Sequence, residues 1–182
     1  MRRGLGIGAV GLGAMMLAAC SPSYTIDMSV PMRDGEWSAR SNPDDQGAVG
    51  VITISVEGGD ITKTVYETKR ADGSDKDAEY GKDSSGQVFN EDYYARAQKA
   101  VESFARYSQQ LTDEDDPAKV DVISGATVAH SQFMQAAIRA ISAAQGVEDA
   151  SADDIDIPGL NDSTGEGDPG LDEDLGGTGK QG

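Results

Sequence analysis

Two periods of apolar residues divide the chain. Over residues 49–57 and 60–69 apolar and polar side chains alternate, and β-branched residues dominate, the pattern of strands with one buried face. Gly58-Gly59 between them suits the positive φ angles of a two-residue hairpin turn. A plain two-residue turn sets Glu57 opposite Asp60, Val56 opposite Ile61, Ile54 opposite Lys63 and Ile52 opposite Val65, a mainly apolar face. The opposite face pairs Ser55 with Thr62 and Thr53 with Thr64. Residues 36–40, after the turn residues Asp34-Gly35, read as a shorter strand, and the polar run 71–86 as a loop. After Asn90 the period changes. Tyr94, Ala97, Val101, Phe104 and Leu111 fall at helical spacing and predict an amphipathic helix over 91–110. Asn90 is its N-cap, with Glu91 and Asp92 at the positive end of the dipole. Residues 112–117 break that helix, and the apolar run 120–123 reads as a short strand. A second helix spans 128–144, with Phe133, Ala137, Ile138, Ile141 and Ala144 inward and Gly146 as its stop. This order predicts an α+β fold, a small antiparallel sheet with a β-hairpin packed against two helices.

The two ends of the chain follow different rules. Arg2 and Arg3 precede an uncharged stretch rich in Gly, Ala, Leu and Met, too short and glycine-rich for a permanent span, so residues 1–19 read as an export signal. Leu17-Ala18-Ala19-Cys20 resembles the bacterial lipobox, whose cysteine is lipidated and becomes the mature N-terminus. Cys20 is the only cysteine, which excludes disulfides within the chain and multi-cysteine metal sites. Residues 20–33 read as a lipidated tether and 34–145 as the folded domain. Residues 146–182, rich in Gly, Asp and Glu, have Lys180 as their one basic residue and are predicted to be a disordered tail. Net charge is −17, and becomes two units more negative once Arg2 and Arg3 are removed. That surface excludes nucleic acid as a partner and leaves acyl chains, not a basic patch, to hold the protein at a membrane.

Most catalytic signatures are missing. There is one histidine, and no GxSxG, HExxH or P-loop pattern. One segment carries chemistry: Asp121-Val122-Ile123-Ser124-Gly125-Ala126-Thr127, ahead of the second helix. Gly125 permits close backbone approach, Ser124 and Thr127 supply hydroxyls, and the free N–H groups of a helix start favour an anion such as phosphate. The plainer alternative is that Ser124 or Thr127 caps the helix.

Asp121-x-x-Ser124-Gly125-Ala126-Thr127 resembles the covalent flavin attachment motif, Asp-x-x-Ser/Thr-Gly-Ala-Thr/Ser, of the FMN-binding domain family. That family includes subunits of the Rnf and sodium-pumping NADH:quinone oxidoreductase complexes and small lipoproteins of extracytoplasmic electron transfer. Asp34-Gly35-Glu36-Trp37 is similar to its Asp-Gly-aromatic opening, and residues 49–68 to its glycine-bounded hairpin. The resemblance implies one covalent FMN per chain, esterified through its phosphate to Thr127 by a flavin transferase that uses FAD. It implies phosphate contacts from Ser124 and the backbone of Gly125 and Ala126, and leaves Asp121 either to recognition by the transferase or to the turn. Trp37, Tyr66, Tyr93 and Phe133 are candidates by type for a wall against the flavin ring, with core packing as the ordinary alternative. His130, one turn past Thr127, is either a partner of the phosphate or a surface histidine. The implied protein is an electron-transfer flavoprotein rather than a self-sufficient oxidoreductase, lipid-anchored on the extracytoplasmic face of the cell membrane. Its partners would be a membrane redox donor and an extracytoplasmic acceptor. The alternative from another class is a non-redox lipoprotein that binds a ligand or a surface partner.

Overall fold

The computed structural model describes residues 26–148 and 151–159. Three strands, β1 (Gly35–Arg40), β2 (Val49–Glu57) and β3 (Asp60–Lys69), form an antiparallel sheet in the order β1-β2-β3. Two helices, α1 (Glu91–Glu114) and α2 (Thr127–Gln145), cover one face. This is the α+β arrangement expected from the pattern of apolar positions.

The hairpin departs from the simple register. Glu57 faces Asp60 and Val56 faces Ile61 as expected, but Ser55 then faces Lys63, so Thr62 is an extra residue on β3. Such a bulge reverses the alternation of every residue after it. Ile54 pairs with Thr64 and Ile52 with Tyr66, not with Lys63 and Val65. Lys63 is thereby exposed rather than buried beside Ile54, Val65 is 45% exposed, and Tyr66 is 4% exposed in the core. Burying an unpaired ammonium costs far more than burying the body of a tyrosine, which explains the sense of the shift. Tyr66 meets Phe104 and Phe133 edge-on at 5.5 and 5.1 Å, and Phe133 stacks with Tyr107 at 5.2 Å.

Helix α1 starts as expected, with the Asn90 side chain accepting the Tyr93 N–H at 2.9 Å. It continues past residue 110 because Leu111 is fully buried, and it stops at left-handed Asp115. The Asp115 carboxylate accepts the Ile61 N–H at 2.7 Å and the Ser108 hydroxyl accepts that of Tyr66 at 3.0 Å, so α1 closes part of the open edge of β3. The run 120–123 is not a strand. A 3-10 turn, Pro117–Lys119, precedes it, and α1 side chains take its amides: Gln110 Oε1 accepts from Asp121 at 2.8 Å and Tyr107 Oη from Ile123 at 3.2 Å.

Helix α2 is buried on most of its circumference and ends at Gly146 in the left-handed conformation. Its buried polar side chains are bonded: Gln132 donates to Ala48 O at 2.7 Å, and Gln135 accepts from Asn42 N and donates to Ile155 O. The α1 C-terminus reaches the start of β3 and the α2 C-terminus reaches Arg33, so both N-termini point away from the Gly58-Gly59 turn.

Both expected domain boundaries move outward. Residues 26–33, expected to be part of a tether, contribute Met32 to the core, and Arg33 caps α2 by donating to Ala143 O and Ala144 O at 2.8 and 3.1 Å. Residues 151–159, expected within the disordered tail, lie against α2: Ala152 is fully buried and Asp153 pairs with Arg139 at 2.6 Å. Apolar residues too sparse to form a core of their own are still enough to cover an existing helix. The expected export signal and lipidation site, Cys20, and residues 160–182 lie outside the described residues.

Candidate functional site

The Asp121–Thr127 connection climbs from the 3-10 turn to the start of α2. Tyr107 holds it at two points, accepting from Ile123 N at 3.2 Å and donating to Ala126 O at 3.3 Å. The Tyr107 ring is fixed by its stack on Phe133 and an edge contact with His130, and burial pushes its phenol pKa up. Ala126 N donates to Ile123 O at 2.9 Å, a turn that Gly125 completes with a φ of +80°.

The N-cap of α2 is Ala126, and no side chain caps the helix. Ser124 and Thr127 are exposed, and their hydroxyls have no hydrogen-bond partner among the described residues. The plain capping alternative therefore does not hold. The first helical bond is His130 N to Ala126 O at 2.9 Å, so the amides of Thr127, Val128 and Ala129 lack an acceptor among the described residues. Such a helix start attracts an anion.

Lys99, which the sequence did not single out, comes from α1. A Cβ placed on Gly125 would lie 3.3, 3.6 and 3.8 Å from its Cδ, Nζ and Cε atoms. The lysine stem thus crosses the space that the glycine leaves. Ser124, Gly125, Thr127 and Lys99 are all exposed and Ala126 is buried, and Lys99 meets the connection at Gly125.

Asp121 is exposed at the far end of the connection and caps nothing. It lies close enough to His130 to favour the charged imidazole, but burial is the larger effect and holds the His130 pKa below its ordinary value. The His130 ring turns toward Val120 O at 3.4 Å and Tyr107, so it is neither a surface histidine nor a standing cation for a phosphate.

The four aromatic candidates separate. Phe133 and Tyr66 are core residues, and Tyr66 Oη donates to Ala129 O at 3.1 Å. Trp37 packs under the Arg33 guanidinium, 4.7 Å from its ring centroid, at the opposite end of α2. Only Tyr93, in the first turn of α1, stands at the same end as Thr127. Burial lifts its pKa to about 12. Tyr80 carries Lys76 Nζ and Arg70 over its ring, and Lys76 forms a buried pair with Asp44 at 3.1 Å.

Among the described residues there is no cluster of three metal-ligating side chains, and no helix is long and apolar enough to cross a membrane. No family model and no curated protein matches the chain. Two solved structures resemble it. The crystal structure of the CPE2226 protein from Clostridium perfringens aligns with a TM-score of 0.50 at 22% identity, covering 63% of this chain and 90% of that one. A protein from Clostridium thermocellum, solved by NMR, aligns at 23% identity over 64% of this chain and 95% of its own, with a TM-score of 0.38. The first likeness is one of fold.

Proposed function

We propose that the protein is a membrane-anchored, extracytoplasmic carrier of covalent FMN that passes electrons from a membrane donor to an extracytoplasmic acceptor. The observation that carries this reading is the Thr127 hydroxyl, exposed and unbonded on a helix start whose amides lack acceptors, within the sequence Asp121-x-x-Ser124-Gly125-Ala126-Thr127. A threonine needed as a cap would be tied to the backbone, whereas one that must enter a modifying enzyme has to be reachable.

The residues fit the group at its phosphate end. Thr127 Oγ would form the new P–O bond in the active site of a flavin transferase, with AMP leaving from FAD and the hydroxyl proton passing to the transferase. Ser124 and the amides of α2 supply donors to the phosphate oxygens. At the same end of the fold Tyr93 and Tyr80 offer aromatic surface. The flavin supplies the redox chemistry when bound; the chain supplies attachment and position. Lipidation at Cys20 keeps the carrier near its donor and raises the effective concentration of the pair.

Co-expression with a flavin transferase tests this reading. The mature protein is expected to turn yellow and to keep its colour after denaturation and gel filtration, and Thr127→Ala is expected to be colourless. Colourless wild-type protein, or colour retained by Thr127→Ala, overturns it. The alternative, a non-redox binding lipoprotein, is favoured by a groove of about 630 Å³ between β3 and α1, lined by Thr64, Tyr66, Val101, Phe104 and Ser108. That groove lies on the side of α1 away from the face that carries Lys99.

A further inference from the structure

Lys99 has no counter-charge among the described residues. The chain carries 32 acidic residues against 15 basic ones. Lys69, Lys76 and Lys82 each pair with a carboxylate, whereas the Lys63, Lys99 and Lys119 ammonium groups have no hydrogen-bond or ion-pair partner among the described residues. Lys99 is exposed, and it lies against the connection ahead of α2. Its stem lies on Gly125, and the amine stops 3.6 Å from where a glycine Cβ would stand, at the residue between Ser124 and the start of α2. Any larger residue at 125 would displace it, and the +80° φ at Gly125 disfavours one as well. A strongly acidic molecule therefore holds an unpaired cation over the loop that carries its exposed threonine.

We infer that Lys99 is the charge partner and positioning residue for the phosphate group joined to Thr127, a role that rests on the flavin reading above. A phosphate diester on Thr127 carries one negative charge. The α2 amides meet that charge along the helix axis, and Lys99 meets it from the side, from a second element. Two directions of contact fix the orientation of the diester where one leaves it free to swing about the Thr127 side chain. The same ammonium offsets the negative charge of the pyrophosphate donor as it approaches so acidic a surface.

The experiment compares wild type, Lys99→Arg and Lys99→Gln, each co-expressed with limiting flavin transferase. Flavin incorporation is followed by intact mass, and the loaded proteins are examined by phosphorus NMR. Because Lys99 is exposed, all three are expected to share one urea midpoint. Lys99→Gln is expected to slow incorporation by about tenfold, the lower end of what a hydrogen bond to a charged group contributes. Its phosphorus resonance is expected to move and to lose its dependence on ionic strength. Lys99→Arg is expected to restore both. If wild type loads and Lys99→Gln loads at the same rate with an unchanged resonance, the role of Lys99 is refuted while the flavin reading stands. If wild type fails to load, the flavin reading itself fails.

Discussion

Tyr107 ties the aromatic core to the candidate site, and Tyr107→Phe measures that connection. The substitution keeps the ring, with its stack on Phe133 and its edge contact with His130, and removes only the hydroxyl. Two hydrogen bonds disappear, but they do not count equally. Ala126 O still accepts from His130 N at 2.9 Å. The Ile123 N–H, partly buried, has Tyr107 Oη as its acceptor and loses it. One orphaned amide gives a destabilisation of about 1–2 kcal/mol, well short of twice that figure. In urea unfolding this is a lower midpoint at constant slope. In a thermal scan it is a fall of about 4–8 °C. Hydrogen exchange supplies the local readout: the Ile123 amide is expected to be protected in wild type and to exchange much faster in the variant, while core amides slow or quicken only with global stability. Flavin loading at Thr127 is expected to slow, because the loop between residues 123 and 126 loses its pin. An unchanged midpoint together with an unchanged Ile123 exchange rate would refute the reasoning.

Thr64→Val tests the bulge. The Thr64 hydroxyl is buried without a partner, so valine should stabilise the domain by about 1 kcal/mol, whereas Val65→Thr on the exposed face should be neutral. No effect from the first and a clear loss from the second would restore the simple register. Asp44→Ala leaves the buried Lys76 ammonium unpaired and frees the Gln46 and Ala48 amides, and should cost about 3–5 kcal/mol in chemical unfolding. His130 gives a pH test. Its folded pKa lies below the unfolded value, so the unfolded chain binds more protons. Its contribution is fully present above about pH 6.5 and is lost as pH falls from there toward the folded pKa. His130→Gln should therefore flatten the stability profile between pH 7 and the onset of carboxylate titration, and an unflattened profile would contradict the burial argument.

Much of the fold was legible because it rests on periodicity. The hairpin, the Asn90 cap, the inner stripe of α2 and the Gly146 stop all follow from local pattern. The bulge at Thr62 was not legible, since two alternating registers differ by one residue and only the competition between Lys63 and Tyr66 for the core decides between them. The run 120–123 looked like a strand because it is apolar, yet its amides are satisfied by Gln110 and Tyr107, ten or more residues away in sequence. The segments 26–33 and 151–159 look unstructured by composition, and they are held by contacts that α2 provides. At the site, the motif named Ser124, Gly125, Ala126 and Thr127; Ser124 and Thr127 are exposed, but the Ala126 amide, expected to face the phosphate, is taken by Ile123 O. Lys99 and Tyr107 were missed because only packing reveals which face of α1 meets the loop; the one sequence hint was that both lie on a helix preceding the motif.

The proposed carrier requires a covalent bond at Thr127. Its most direct measurement is the mass of the mature protein purified from its own host, followed by peptide mapping. The predicted result is an added mass of one FMN less one water, confined to the peptide that contains Thr127. A Thr127 peptide recovered with its free hydroxyl, from cells that make the flavin transferase, would contradict it.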